Sequence, residues 1–195
     1  MDRIYDQYAD LLEYPSTNWD ANVNTCTKLV SGHELELLTS FARYFDEACD
    51  LSSLQETYTR TFDLNPVCTL DIGYHLFGEA YKRGVFLANL HETEEPFDLG
   101  QEHQLPDYLP VLLRLIARLD DEEQRTSLIV DCISPALGKM EKALGEADNP
   151  YRHLLEAVHT TLQSDVGIDL IQSAARGSAM RASLPVLQLG EHALA

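Results

Sequence analysis

The stretch LPDYLPVLLRLIARL, residues 105–119, opens with two prolines and an acid and then continues as an amphipathic helix. We expect Asp107 to cap this helix by accepting a hydrogen bond from the amide of Leu109. Pro110 would then occupy the third helical position, where its missing N–H group removes no internal hydrogen bond. The stretch therefore predicts a helix that begins at its prolines and buries one apolar face.

The residues after this stretch keep the helical period. Asp120 and Glu123 have the spacing of a helix cap, and Pro135 is expected to kink the helix that follows. Asn149 followed by Pro150 marks the start of one more helix. The apolar positions of these two helices are Leu128, Ile129, Cys132, Ile133, Leu137, Met140 and Leu144, then Tyr151, Leu154, Leu155, Val158 and Leu162.

The residues before the stretch show the same period, and no strand-like alternation is convincing anywhere. Apolar stripes predict helices within residues 4–15 and 32–49, and the first of them carries Ile4, Tyr8, Leu11 and Leu12. Ser53 with Glu56 forms a capping pair for a helix over 53–62, and a helix interrupted by glycines is predicted over 74–90. Asn65-Pro66 is better explained as an irregular turn.

Together these elements predict an all-α fold, a single-domain bundle of about seven helices around one core. Residues 91–104 are polar and acidic and contain proline and glycine, which predicts one long, mobile acidic loop. We expect the helical domain to cover residues 1–175. Residues 176–195 mix small residues with a short apolar patch, and we expect a loosely held tail.

The net charge of the chain indicates which classes of molecule could be its partner. Lys and Arg number 14 against 32 Asp and Glu, which gives a net charge of −18. Such a field repels nucleic acid phosphates and the anionic surface of a membrane. We therefore expect no nucleic acid partner, whereas a peptide that carries Arg or Lys is favoured.

The location of the protein follows from two further features. The start MDRIYDQYADLLEYP lacks the basic and apolar regions of a secretory signal, and no apolar run approaches the roughly 20 residues that span a bilayer. Cys26, Cys49, Cys68 and Cys132 lie far apart with no CxxC pair, so neither a zinc site nor a disulfide scaffold is indicated. We expect a cytoplasmic protein with reduced cysteines and no stable membrane insertion.

Motifs for metal, nucleotide or acyl-transfer chemistry are absent from the sequence. There is no HExxH, GxxxxGK[ST], GxGxxG or GxSxG, and His91 and His103 have no His or Cys partner at ligand spacing. We predict no metal, no cofactor and no catalytic residue. A Ser/His/Asp or Cys/His arrangement that meets only in space stays open, and a binding module is favoured by elimination.

Two stretches stand out from this background, YHLFGEAYKRG at 74–84 and LPDYLP at 105–110. Glu79 and Arg83 are spaced for an ordinary ion pair along a helix surface. In the functional interpretation, Tyr74, His75, Glu79 and Arg83 form the polar edge of a groove, and the glycines indicate close packing of a backbone or ligand. Tyr108 places a large ring at a helix mouth, where it could grip an apolar or cationic side chain.

In this order, the stretches resemble the NarJ-type assembly chaperones of respiratory nitrate reductase, within the TorD/DmsD group of redox-enzyme maturation proteins. The likeness covers most of the chain and depends on order and spacing, because no single motif is long. It extends over LLEYP at 11–15, GEAYKRG at 78–84, LPDYLP at 105–110, DCISPALGKMEKAL at 131–144 and NPYRHLLEAV at 149–158.

The resemblance implies an all-helical cytoplasmic chaperone without a cofactor of its own. It implies binding to the N-terminal segment of a molybdoenzyme catalytic subunit, often a twin-arginine signal or its vestige. The apoprotein is then held for molybdenum cofactor insertion, before membrane attachment or export. The expected partners are that apo catalytic subunit and molybdenum cofactor delivery proteins. The client could be a nitrate, selenate or chlorate reductase or a related dehydrogenase, and the chain could be a monomer or a dimer.

The resemblance also places the family's signature acid on Asp107, while Gln104 and Tyr108 stand where the family usually has glutamate and histidine. We expect a peptide clamp in which Asp107 and Glu79 pair with peptide cations and loop 91–104 closes over the peptide. Phe77, Tyr81, Leu109 and Leu112 would supply its apolar pockets. The full predicted set is Tyr74, His75, Phe77, Glu79, Tyr81, Arg83, Gly84, Asp107, Tyr108, Leu109, Pro110, Leu112 and Arg114, with Gly78 beside it.

Two other classes of function remain open at this point. One is an enzyme or a nucleotide-binding switch, for which no phosphate cradle is visible. The other is a constitutive structural subunit of an oxidoreductase, which would be present in the mature complex, whereas a chaperone would be absent from it.

Overall fold

The computed structural model describes residues 2–46, 50–64, 68–101, 103–145 and 149–167. Cys49, the turn at Asn65-Pro66 and the predicted tail at 176–195 lie outside the described residues. Within them the chain is helical, without a strand, and the all-α prediction is confirmed. No helix in these ranges is long and apolar enough to cross a membrane.

The helices follow one another with short connections. They are α1 (Asp2–Leu12), α2 (Trp19–Thr27), α3 (Gly32–Asp46), α4 (Leu51–Tyr58), α5 (Ile72–Phe77), α6 (Tyr81–Glu94), α7 (Leu109–Ile116), α8 (Glu122–Ser127), α9 (Ser134–Leu144) and α10 (Tyr151–Val166). A π-helical turn, Thr59–Asp63, extends α4, and a second, Leu128–Ile133, joins α8 to α9. The structure adds α2 to the predicted set and divides the helix predicted over 74–90 into α5 and α6.

The core lies where α1 packs on α7 and where α10 packs on α3 and α9. All four apolar positions predicted for α1 are buried, which confirms that stripe. Buried tyrosines satisfy their hydroxyl groups across the helices, as Tyr8 does with Thr161 at 2.9 Å and Tyr5 with Asp165 at 2.7 Å. These bonds let large rings enter the core without leaving a polar atom unpaired.

Pro135 is accommodated by a change of helix type. The Ser134 N–H donates to the carbonyl of Ile129, five residues back, and α9 continues from there with Pro135 in its first turn. A proline ring conflicts with the carbonyl four residues earlier, and the wider π turn relieves that conflict. A π-helical segment therefore precedes Pro135 inside a continuous helix, at the place where the sequence predicts a kink.

Two predicted helix caps are wrong in position. The α8 cap is Asp121, whose Oδ1 accepts the Gln124 N–H at 3.0 Å, rather than Asp120 with Glu123. The α4 cap is Asp50, which accepts the Ser53 N–H at 3.0 Å, rather than Ser53 with Glu56. Acids are abundant at both sites, so the sequence alone leaves the register of the cap undetermined.

Asp121→Ala is expected to lower the free energy of unfolding by about 1 kcal/mol, because it removes the acceptor for an otherwise unpaired N–H group of α8. Asp120→Ala is the matched control, since Asp120 is exposed and does not cap the helix. Urea denaturation measures both variants. Equal losses for the two would contradict the observed register.

The acidic segment begins later than predicted, because α6 extends to Glu94 and includes the first four residues of the predicted loop 91–104. The segment after α6 is also anchored, since Leu99 is buried and its carbonyl lies 3.5 Å from Arg114 Nη1. The predicted loop 91–104 is polar overall, yet Glu94 and Leu99 are buried among its described residues.

Candidate functional site

The backbone at Asp107 is joined to the start of α5 by an isolated antiparallel bridge between Asp71 and Tyr108. The carbonyl of Asp107 accepts the Ile72 N–H at 2.8 Å, and the Leu109 N–H donates to the carbonyl of Leu70 at 2.9 Å. The predicted cap is therefore wrong, because the amide assigned to the Asp107 side chain is bonded to another part of the backbone. Tyr108 is the cap residue of α7, and Pro110 occupies the second helical position rather than the third.

The carboxylate of Asp107 is fully buried and joins three helices. Its Oδ2 accepts the Gly73 N–H of α5 at 3.1 Å and the Arg83 Nε of α6 at 3.0 Å, while Arg83 Nη2 lies 2.9 Å from the same oxygen. Arg83 Nη2 also lies 3.3 Å from Asp71 Oδ2. We call Asp71, Gly73, Arg83 and Asp107 the Asp107 network.

The predicted ion pair between Glu79 and Arg83 is replaced by this network. Glu79 is exposed in the turn between α5 and α6, so the two residues do not share a helix face. The guanidinium of Arg83 points inward, with its side chain 19% exposed, to the carboxylates of Asp71 and Asp107.

The surroundings of Asp107 change its pKa in opposite directions. Burial raises the pKa of Asp107, and the charge of Asp71 raises it further, while Arg83 and the Gly73 N–H lower it. Its second oxygen, Oδ1, is buried and has no hydrogen-bond partner among the described residues. The carboxylate is thus held on one side only, by a guanidinium that it shares with Asp71.

Glycine placement corrects another expectation. Close packing was predicted at Gly78 and Gly84, but a Cβ atom at either position would meet nothing within 4 Å. Gly78 ends α5 with a φ of 60°, which explains that glycine by conformation alone. The close approach is at Gly73, where a Cβ atom would lie 2.6 Å from Asp107 Oδ2. The sequence analysis did not single out Gly73. A glycine that neither forms a turn nor caps a helix could have indicated this close contact.

Tyr108 lies inside the protein rather than at an open helix mouth. Its hydroxyl is 3.0 Å from that of Tyr58, which donates to the carbonyl of Leu12 at 3.1 Å. Burial raises the pKa of Tyr108 to about 12. The edge of the Tyr14 ring packs on Tyr58, with ring centroids 5.4 Å apart. Tyr108 therefore fixes α7 against α1 and α4.

Four more predicted binding residues belong to the α7 scaffold. Leu109, Pro110 and Leu112 are buried in the core. Arg114 binds α1 through Asp10 Oδ1 at 3.0 Å and Glu13 Oε1 at 2.9 Å. These four side chains are therefore engaged in contacts within the fold.

The remaining predicted residues have accessible surface, and we call them the α5–α6 surface. Tyr81 is 89% exposed, and Glu79 and Gly84 are exposed beside it in sequence. His75 is half-buried, with Nε2 2.7 Å from the carbonyl of Thr69, and burial lowers its pKa. The members of the surface are Tyr74, His75, Phe77, Glu79, Tyr81 and Gly84.

One cleft of the described fold lies away from these residues. It has a volume of about 380 Å³ and contains none of the predicted binding residues. Arg3, Ile4, Leu29, Val30, Ser31, Glu34, Thr161 and Ser164 line it. This cleft is therefore not the predicted peptide groove, which stays a prediction.

Glu94 and Asn89 are buried polar residues that the sequence did not single out. Glu94 is 4% exposed, and neither of its carboxyl oxygens has a hydrogen-bond partner among the described residues. Burial, followed by the charge of Asp107, raises the pKa of Glu94 to about 8. Asn89 Nδ2 is also buried without a partner. In the described ranges, no group of three or more His, Cys, Asp or Glu side chains could hold a metal ion.

Comparison with known proteins gives no matching family model. The probable nitrate reductase molybdenum cofactor assembly chaperone NarJ of Bacillus subtilis (strain 168) is 27% identical over 159 residues, which are 79% of this chain and 85% of that protein. The probable chaperone of the same description, NarW, from Escherichia coli (strain K12) is 24% identical over 83% of this chain and 68% of its own length.

A third relative is a larger protein, the nitrate reductase-like protein NarX of Mycobacterium tuberculosis (strain ATCC 25618 / H37Rv). It is 28% identical over 77% of this chain, and the chain spans only 23% of its length. The two chaperones, NarJ and NarW, confirm the resemblance to NarJ-type chaperones that the order of short motifs predicted.

Proposed function

We propose, from this likeness to nitrate reductase assembly chaperones, that the chain is a chaperone for a molybdoenzyme catalytic subunit. It binds the N-terminal segment of that subunit, from a nitrate reductase or a related enzyme of the DMSO-reductase type. It holds the apoprotein in the cytoplasm for molybdenum cofactor insertion before membrane attachment or export. The observation that carries the proposal is the shared description of relatives that align over most of the chain.

Physical properties of the chain support a peptide as its ligand. A net charge of −18 attracts a basic segment over long range and speeds encounter with it. Each exposed ion pair adds at most about 1 kcal/mol, so apolar anchors must supply most of the affinity. Tyr81, with most of its ring in solvent, is an unused apolar surface of this kind.

The predicted binding residues divide into two roles under this proposal. The Asp107 network holds α5, α6 and the start of α7 in one arrangement, because one carboxylate bonds to a backbone N–H of α5 and a side chain of α6. Asp107 and Arg83 are thus positioning residues. Direct contact with the client falls to the α5–α6 surface, whose side chains reach solvent.

Tyr81→Ala is expected to weaken binding of the client's N-terminal peptide at least about 10-fold, since truncation of an aromatic anchor commonly costs this much. Leu64→Ala is the matched control, because Leu64 is 74% exposed and lies outside the predicted set. Isothermal titration of a synthetic peptide from the nitrate reductase catalytic subunit measures both. A wild-type chain that binds no such peptide would contradict the proposed function. Equal effects of Tyr81→Ala and Leu64→Ala on the affinity would show that Tyr81 is not the peptide contact.

A structural subunit is the second candidate, because NarX contains a similar region within a larger nitrate reductase-like protein. The two functions differ in the composition of the mature enzyme. We expect affinity capture to recover the chain with the apo catalytic subunit, and we expect purified mature reductase to lack it. Stoichiometric chain in the mature complex would favour the subunit.

A further inference from the structure

Glu94 is the last residue of α6 and lies on the same face as Phe86 and Leu90, which are buried. The residues that follow it, Glu95 and Pro96, are exposed. The buried carboxyl group is therefore followed directly in the chain by residues that reach solvent. Buried carboxyl groups in proteins are normally hydrogen-bonded or paired, so two unpartnered oxygens require an explanation.

The carboxyl groups of this region outnumber the positive charges that are paired with them. The guanidinium of Arg83 is placed against Asp71 and Asp107, which are two carboxylates for one positive charge. Glu94 is a third carboxyl group, and the charge of Asp107 acts on it. Oδ1 of Asp107 is also buried and has no hydrogen-bond partner in the part of the chain that the structure describes. An additional positive side chain would satisfy acceptors that the described residues leave unpaired.

We propose that Glu94 is the acceptor for a basic side chain of the client peptide, a guanidinium or an ammonium group, inserted between the end of α6 and the start of α7. The inference rests on the proposed function and adds to it a residue and a ligand chemistry. Glu94 contributes a charge-assisted hydrogen bond at this position, while the α5–α6 surface contributes apolar contact.

Glu94 releases a proton when the basic side chain binds. In the free protein Glu94 is mostly protonated at neutral pH, since its pKa is about 8. Entry of a cation favours the carboxylate, so the proton leaves to solvent as the ion pair forms. The charged group that acts on Glu94 is Asp107, just before α7, which opposes ionisation. Affinity for a basic peptide should therefore rise about 10-fold per pH unit up to about pH 8.

The test compares peptides that differ in charge alone. The probe is a synthetic peptide with the N-terminal sequence of the nitrate reductase catalytic subunit from the same source. Its variants replace each arginine by citrulline and each lysine by N-acetyl-lysine. Titration calorimetry in two buffers of different ionisation enthalpy measures affinity and proton release. The proteins are the wild type, Glu94→Gln and the control Glu95→Gln, whose side chain is exposed.

The expected result is that the wild type and Glu95→Gln prefer the charged peptide by at least about 30-fold and release a proton on binding it. Glu94→Gln should lose both the preference and the proton release. If Glu94→Gln keeps the preference, or if the wild type binds charged and neutral peptides equally, the inference is overturned and the proposed function stands. If the wild type binds none of the peptides, both fail together.

Discussion

Gly73→Ala is expected to lower the free energy of unfolding by about 3 kcal/mol, one of the two largest effects that the structure predicts. The new Cβ atom would lie 2.6 Å from Asp107 Oδ2 and 3.1 Å from Phe86 Cδ1. Asp107 cannot move aside freely, because Arg83 holds the same oxygen at 3.0 Å. The cost combines overpacking with a weakened charge-assisted hydrogen bond from the Gly73 N–H. Urea denaturation followed by circular dichroism measures it.

Gly84→Ala is the matched control for this substitution. Gly84 lies in α6, is exposed, and would place its Cβ atom in open space, so alanine should stabilise by about 0.5–1 kcal/mol. In an Asp107→Ala background the further loss from Gly73→Ala should fall below about 1 kcal/mol, because the crowded oxygen is gone. A loss that is the same in both backgrounds would show that the clash with Asp107 is not the cause.

Glu94→Gln is expected to remove a strong dependence of stability on pH. The pKa of Glu94 is about 8 in the folded protein against the ordinary 4.5, so the folded state binds more protons than the unfolded state between these values. The stability that protonated Glu94 supports is complete below about pH 4.5 and is lost as the pH rises toward 8. From about pH 5 to about pH 8.5, the wild type should lose up to about 4 kcal/mol relative to Glu94→Gln.

The measurement is a series of urea denaturation curves for the wild type, Glu94→Gln and Glu95→Gln over this pH range. Other titrating groups are common to all three proteins, so the difference between curves isolates the substituted group. Glu95→Gln should follow the wild type in parallel, because Glu95 is exposed. A difference between the wild type and Glu94→Gln that does not change with pH would place the Glu94 carboxylate in a solvated or paired environment.

These variants also make the binding experiments interpretable. At about pH 6 the Glu94→Gln protein should be at least as stable as the wild type, because an amide is neutral in both states, whereas the Glu94 carboxyl is already ionised in the unfolded wild type. A loss of peptide charge preference at that stability therefore reports on recognition rather than on unfolding.

Prediction from the sequence was most successful where a helix buries one apolar face. The stripe of Ile4, Tyr8, Leu11 and Leu12 in α1 is buried as expected. It was least successful at helix ends, where Asp121 rather than Asp120 caps α8. A stripe repeats over several turns and averages out local ambiguity, whereas a cap depends on one hydrogen bond and has several acidic competitors.

The candidate site shows the same division between local and distant information. The sequence singles out Asp107 and Arg83, but Leu109 and Arg83 have partners other than those assigned, because Leu70 and Asp71 are brought there by the fold. Gly73 is required by contact with a side chain that lies far away in the sequence.

The amino-acid sequence by itself determined the all-α class, the positions of most helices and the likeness to NarJ-type chaperones, since periodicity, composition and motif order are properties of the chain. The tertiary structure alone decided which charged groups pair with one another. Local spacing had suggested a pair of Glu79 with Arg83, and the fold placed Arg83 against Asp71 and Asp107. It also buried Glu94 without a hydrogen-bond partner for its oxygens among the residues that the structure describes. The physical reason is that desolvation and Coulomb interaction depend on distance in space, which the order of residues does not specify.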